Sequence, residues 1–168
     1  MPTLFFSHGK HSHPTSTKIT YLAQIAQALG CTTHSIDYTS TLDPEERLVL
    51  LRTNIQAQQA ADIVLVGSSM GGYVSTALAS EIPVKGLFLM APAFYLPGYA
   101  QQTFAPQSPE IEIVHGWQDE VVPYEHSVQF GKKHAARLHL IEDNHRLSAS
   151  EAFLKATFSD FIHRVFLL

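Results

Sequence analysis

Gly67-Ser68-Ser69-Met70-Gly71-Gly72 sets Ser69 at the centre of a Gly-x-Ser-x-Gly pattern, directly after the apolar run Asp62 to Val66 and ahead of a helical stripe. A strand that turns sharply into a helix needs small flanking residues, and its central side chain then projects from the sheet edge. The same turn puts Ser69 beside a helix N-terminus, where free N–H groups stabilise developing negative charge. Ser68 is off centre. Such a turn can also be a plain connection or a phosphate cradle, but neither Gly-x-Gly-x-x-Gly nor the Walker pattern occurs in the chain.

A serine hydroxyl is a weak nucleophile at neutral pH and needs a base, which in turn needs an orienting carboxylate. The chain order expected for this turn is Ser, acid, His. His115-Gly116-Trp117-Gln118-Asp119-Glu120-Val121-Val122-Pro123 follows an apolar run and brings Asp119 to the sheet edge of Ser69, with Glu120 as its neighbouring competitor. Glu142-Asp143-Asn144-His145-Arg146-Leu147 follows the last run and delivers His145 to the same edge. Any one of ten histidines is a weak signal, but only His145 lies between the last run and the last helical stripe. Asp143 is an alternative carboxylate, close in sequence to the imidazole it would have to face. Ser7-His8-Gly9-Lys10 ends the first run; a turn there presents the main-chain N–H of Lys10 to an oxyanion, with the N–H of Met70 as second donor.

These loops need a scaffold that gathers them at one edge. Apolar runs recur at Leu4–Ser7, Ser35–Tyr38, Ile63–Gly67, Gly86–Met90, Ile111–His115 and Leu138–Ile141, in the form of strands covered on both faces. Between them Leu22, Ile25, Ala26 and Leu29 repeat at helical spacing up to Gly30. Leu48, Leu51 and Ile55 make a second stripe behind Pro44, and Val74, Ala77 and Leu78 a third. Tyr124–Lys133 is a weaker, shorter pattern, while Leu154, Phe158, Phe161 and Val165 form a last stripe behind a Ser148-x-x-Glu151 capping box. Alternating strand and helix predict an α/β three-layer sandwich with a mostly parallel six-stranded sheet, formed by one domain over residues 1–168. Pro92–Pro109 reads as a long loop with four prolines and with Phe94, Tyr95, Tyr99 and Phe104; it is either a surface excursion or a cover for the site.

A 168-residue chain with 45% hydrophobic residues can bury a core. Net charge is −4 and the eleven Lys and Arg are scattered, so no basic stripe is present to follow nucleic acid. The lone Cys31 and an N-terminus without a signal-peptide pattern predict a reducing, cytoplasmic setting, and no apolar stretch approaches the ~18 residues of a membrane span. His8, His11 and His13 match no strong metal signature, so neither metal nor other cofactor is expected. Oligomeric state leaves no trace in the sequence.

The set of motifs resembles the α/β-hydrolase superfamily, in particular its dienelactone-hydrolase-like and small bacterial esterase-like members. Gly67–Gly71 is similar to the nucleophile elbow, His115-Gly116-x-x-Asp119-x-x-x-Pro123 to the acid loop, Asp143-Asn144-His145-Arg146-Leu147 to the histidine loop, and Phe5-Phe6-Ser7-His8-Gly9 to the oxyanion strand. The resemblance implies a minimal version of the fold, without the two antiparallel strands that open larger members and without a helical cap. A dienelactone hydrolase proper would carry cysteine at the elbow, so that activity is not implied. What is implied is a serine carboxylesterase or related acyl hydrolase acting on a small-molecule ester, with Ser69, His145 and Asp119 as the triad. His8, Gly9, Trp117, Phe94 and Tyr95 are the candidate pocket residues. The competing expectation is a binding protein that keeps the fold with little turnover.

Overall fold

A computed structural model describes residues 1–167. Its six strands are β1 Thr3–Ser7, β2 Thr32–Ile36, β3 Ile63–Ser68, β4 Gly86–Met90, β5 Ile111–Gly116 and β6 Arg137–Ile141. They form one sheet in the order β2-β1-β3-β4-β5-β6, with every pair parallel. The expected six-stranded α/β fold is therefore present, and it is parallel throughout rather than mostly so. Five helices make the outer layers: α1 Thr17–Ala28, α2 Pro44–Gln58, α3 Met70–Ala79, α4 Tyr124–His134 and α5 Glu151–Phe166.

Because side chains alternate along a strand, each central strand feeds two cores. Phe5, Leu65, Leu87, Leu89 and Ile113 face Leu51, Ile55, Tyr73, Val74 and Phe130 of α2, α3 and α4. Leu4, Phe6, Val64, Val66, Phe88 and Val114 face Ile19, Leu22, Leu154, Phe158 and Phe161 of α1 and α5. The near-continuous apolar character of β1, β3, β4 and β5 follows from burial on both faces.

The edge strands depart from that pattern. β2 occupies 32–36 rather than 35–38, because Thr32, Thr33, His34 and Ser35 on the rim need not be apolar. Tyr38 falls beyond the strand and is fully buried, its hydroxyl 2.7 Å from Ser7 Oγ. The helix over Tyr124–His134 is complete despite its weak stripe. The Ser148 capping box does not form: α5 starts at Glu151 with Ser150 in the cap position, and Ser150 Oγ donates to Asp143 Oδ2 at 2.6 Å instead of capping the helix.

The chain runs from β1 outward to β2 and then returns to β3 on the other side of β1. The strand order thus reverses between β1 and β3, and in open α/β sheets the crevice at the carboxyl ends of such strands is where ligands bind. Ser7 and Ser68 end those two strands. No helix of the described residues is long and apolar enough to cross a membrane.

Candidate active site

Ser69 sits between β3 and α3 with φ 54° and ψ −116°, a conformation that costs an L-residue of order 1–3 kcal/mol. Its backbone is held on all sides: Ser69 N–H donates to Met90 O at 2.9 Å, while Ser69 O accepts from the N–H groups of Gly72, Tyr73 and Ala93 at 2.9–3.2 Å. The turn closes only because Gly71 lacks a side chain, since a Cβ there would collide with the carbonyl of Ser7. Lying at the head of α3, Met70 has an N–H with no acceptor within the helix.

His145 Nε2 lies 2.9 Å from Ser69 Oγ, and His145 Nδ1 lies 2.7 Å from Asp119 Oδ2. The Ser69 hydroxyl can donate to Nε2 while Nδ1–H donates to the carboxylate. The Asp119 side chain is fully buried, whereas His145 is 21% exposed, so the ring spans the gap between a dry carboxylate and the open cleft. Asp119 Oδ1 accepts from Val121 N–H and Val122 N–H, both at 2.8 Å, and Oδ2 also lies 3.0 Å from His115 Nε2. Burial alone would raise the Asp119 carboxyl, but donors from His115, His145 and the Val122 amide hold it well below the usual carboxylate range.

Two loops carry these groups and are laced together. Trp117 N–H donates to Ile141 O and Gln118 N–H to Asp143 O, and a Cβ at Gly116 would strike the Asp143 carbonyl. Asp143, the alternative acid, does not face the imidazole. Its carboxylate accepts from the N–H groups of Asn144 and Ala149 and from Ser150 Oγ, and so shapes the histidine loop. Glu120, the other competitor, is exposed.

A cleft of about 750 Å³ opens over Ser69 between the β1–α1 loop and the histidine loop. His8, Gly9 and Lys10 border it, as do Ala93, Leu96 and Tyr99 on the opposite wall. A Cβ on Gly9 would lie 3.6 Å from the Ser69 Cβ, which places that turn directly beside the serine. Three expected pocket residues lie elsewhere. Phe94 is fully buried and stacks on Phe130 at 4.2 Å, and Tyr95 packs on Phe104 and His126. Trp117 is 46% exposed and packs edge-on against Tyr124, outside the cleft. Phe94, Tyr95 and Phe104 of Pro92–Pro109 thus pack together against the core rather than over the cleft. Only Ala93, Leu96 and Tyr99 of this loop reach the cleft.

His8 is buried, with Nε2 accepting from Tyr38 N–H at 3.0 Å and Nδ1 donating to Gly9 O at 2.8 Å. Because Nε2 accepts from a backbone N–H it carries no proton, so the ring is neutral with both nitrogens occupied, and burial lowers its pKa further from the ordinary range. His115 and Arg47 were given no role by sequence reasoning. The signal for His115 is its place at the head of the acid-loop pattern, four residues before Asp119 at a strand end. Arg47 shares a helical face with Leu51 and Ile55, the one charged group on an otherwise apolar stripe.

Residues 3–108 match the model of UPF0227, an uncharacterised protein family. A protein from Xanthomonas campestris pv. campestris, described as a hydrolase of the α/β superfamily, is 30% identical over 98% of this chain and 99% of its own, with a TM-score of 0.86. The chain belongs to the α/β-hydrolase superfamily and, within it, to UPF0227. Two other solved structures share the fold at lower identity. Est1E from Butyrivibrio proteoclasticus, solved with ferulic acid bound, is 19% identical over 100% of this chain and 90% of its own, with a TM-score of 0.83. XC6422 from Xanthomonas campestris, a serine hydrolase without a lid, is 19% identical over 96% and 81%, with a TM-score of 0.80. No curated protein matches the chain in sequence. Among the described residues no lid covers the cleft: the connection from β4 to β5 is a loop packed against the body.

Proposed function

We propose that this α/β-hydrolase is a serine esterase acting on small, accessible carboxylic esters, with Ser69, His145 and Asp119 as its catalytic triad. The observation that carries the reading is the unbroken line from Ser69 Oγ to His145 Nε2 at 2.9 Å and from His145 Nδ1 to Asp119 at 2.7 Å. Ser69 Oγ attacks the ester carbonyl while its proton passes to His145 Nε2, and Asp119 stabilises the imidazolium. The main-chain N–H groups of Met70 and Lys10 receive the oxyanion. Collapse of the tetrahedral intermediate expels the alkoxide, which takes the proton from His145. A water molecule, deprotonated by the same imidazole, then attacks the acyl-enzyme and releases the acid.

Among the described residues nothing encloses an extended chain over the cleft, which supports small substrates rather than long lipids. Ferulic acid, bound by Est1E, is an acid of the size such a cleft admits, and simple aromatic esters belong in the substrate panel. The wild-type protein is expected to hydrolyse p-nitrophenyl acetate or butyrate, or methyl ferulate, and Ser69→Ala to reduce the rate at least 10³-fold. Turnover of the same esters by Ser69→Ala at the wild-type rate contradicts the assignment.

A further inference from the structure

Arg47 is fully buried, yet its partners are main-chain carbonyls. Nη1 donates to Gly9 O at 3.1 Å and to His8 O at 3.4 Å, Nη2 to Lys10 O at 2.9 Å, and Nε to Thr41 O at 2.9 Å. The guanidinium also lies over the Tyr38 ring, 5.4 Å from its centroid. Burying a cation is costly, and a neutral side chain could fill the same space. What a guanidinium adds is a fixed planar fork of strong donors, here gripping three consecutive carbonyls of the loop that borders Ser69.

The peptide between Gly9 and Lys10 is the most heavily engaged. Gly9 O accepts from Arg47 Nη1, from His8 Nδ1 at 2.8 Å and from Ser12 N–H at 3.2 Å. A trans peptide points its C=O and its N–H in opposite directions. Arg47 is not part of the cleft wall, whereas Gly9 and Lys10 are. Holding Gly9 O on the Arg47 side therefore turns the Lys10 N–H away from Arg47, toward the cleft. That N–H has no acceptor among the described residues. Donors on the carbonyl also polarise the amide, which strengthens its N–H as a donor.

We infer that Arg47, with neutral His8 beside it, is a positioning residue for oxyanion stabilisation: together they aim and polarise the Gly9–Lys10 peptide so that its N–H meets the charge developing on the substrate oxygen. The inference rests on the esterase reading. It assigns a buried side chain behind the loop to the transition state rather than to substrate binding, so its loss reduces kcat and leaves KM nearly unchanged.

The test compares the wild type, Arg47→Lys, Arg47→Met and His8→Asn, each shown to be folded by circular dichroism and a cooperative thermal transition. The substrate is p-nitrophenyl acetate, and a trifluoromethyl ketone that forms a tetrahedral oxyanion on the serine serves as inhibitor. In the folded variants kcat is expected to fall about 10- to 100-fold with KM within twofold, and the ketone to weaken by a similar factor. Arg47→Lys, which keeps the charge but not the fork, is expected to lie between Arg47→Met and the wild type. His8→Asn removes the other side-chain donor to Gly9 O and keeps the question open to measurement if the Arg47 variants do not fold. Wild-type turnover with undiminished kcat and ketone affinity in the folded variants overturns this inference alone. Absence of ester turnover and of a ketone complex in the wild type overturns the esterase reading and this inference with it.

Discussion

Four donors converge on the Asp119 carboxylate: two amides on Oδ1, and the His145 and His115 rings on Oδ2. His115 Nε2 also meets Val122 O at 2.9 Å, so this nitrogen carries a proton, and Nδ1 lies 2.7 Å from Ser127 Oγ. That ring holds the same carboxylate oxygen that His145 contacts. Because the Asp119 pKa in the fold lies under its unfolded value of ~3.9, ionisation stabilises the fold. The contribution is fully present above the ordinary aspartate range and is lost as pH falls below it, toward the folded value. Thermal midpoints at pH 6 and pH 3 are therefore expected to differ more for the wild type than for Asp119→Asn, and equal differences would contradict the account. The same substitution removes the acceptor that fixes the His145 tautomer, and kcat is expected to fall about 10³- to 10⁴-fold in steady-state ester hydrolysis. Ser69, Asp119 and His145 were legible as candidates because chain order singles them out. Arg47 and His115 were not, because their roles depend on which backbone atoms surround them after folding.

The elbow is a point where two elements nearly touch. Gly71, in the first turn of α3, abuts the carbonyl of Ser7 at the end of β1, so Ser69 and the β1–α1 loop are set against each other by a contact that only glycine permits. Gly71→Ala is expected to push α3 away from β1, lowering kcat at least 100-fold and the thermal midpoint by several degrees; a variant with wild-type kcat would show that the approach is dispensable. The strand and helix pattern was readable wherever an element is buried on both faces or carries a clear stripe, as in β3, β4 and α5. It failed at β2, whose Thr32–Ser35 rim is polar, and at the start of α5, where Asp143 rather than the capping box engages the serine hydroxyl.

At the scale of the whole molecule, the sheet reverses its order between β1 and β3, and the loops carrying Ser69, Asp119 and His145 meet at the carboxyl end of the sheet. Most of the β4–β5 connection is spent on packing against the body. Phe94 and Phe104 with Phe130 form an aromatic cluster beside α3 and α4. The sequence left this loop open between a surface excursion and a cover, since aromatic content alone does not say which way the rings turn. Phe94→Ala is expected to cost about 3–5 kcal/mol of stability in urea denaturation while KM for small esters stays within about twofold, because the ring supports the body and not the cleft. A large rise in KM without loss of stability would return Phe94 to the pocket.

A Ser69 nucleophile activated by His145 reacts covalently with a fluorophosphonate, which intact mass and peptide mapping read out. A single adduct is expected on Ser69 in the wild type, none in Ser69→Ala, and labelling slowed at least 100-fold in His145→Ala. An unlabelled wild-type protein, or an adduct that persists in Ser69→Ala, would contradict a nucleophilic Ser69.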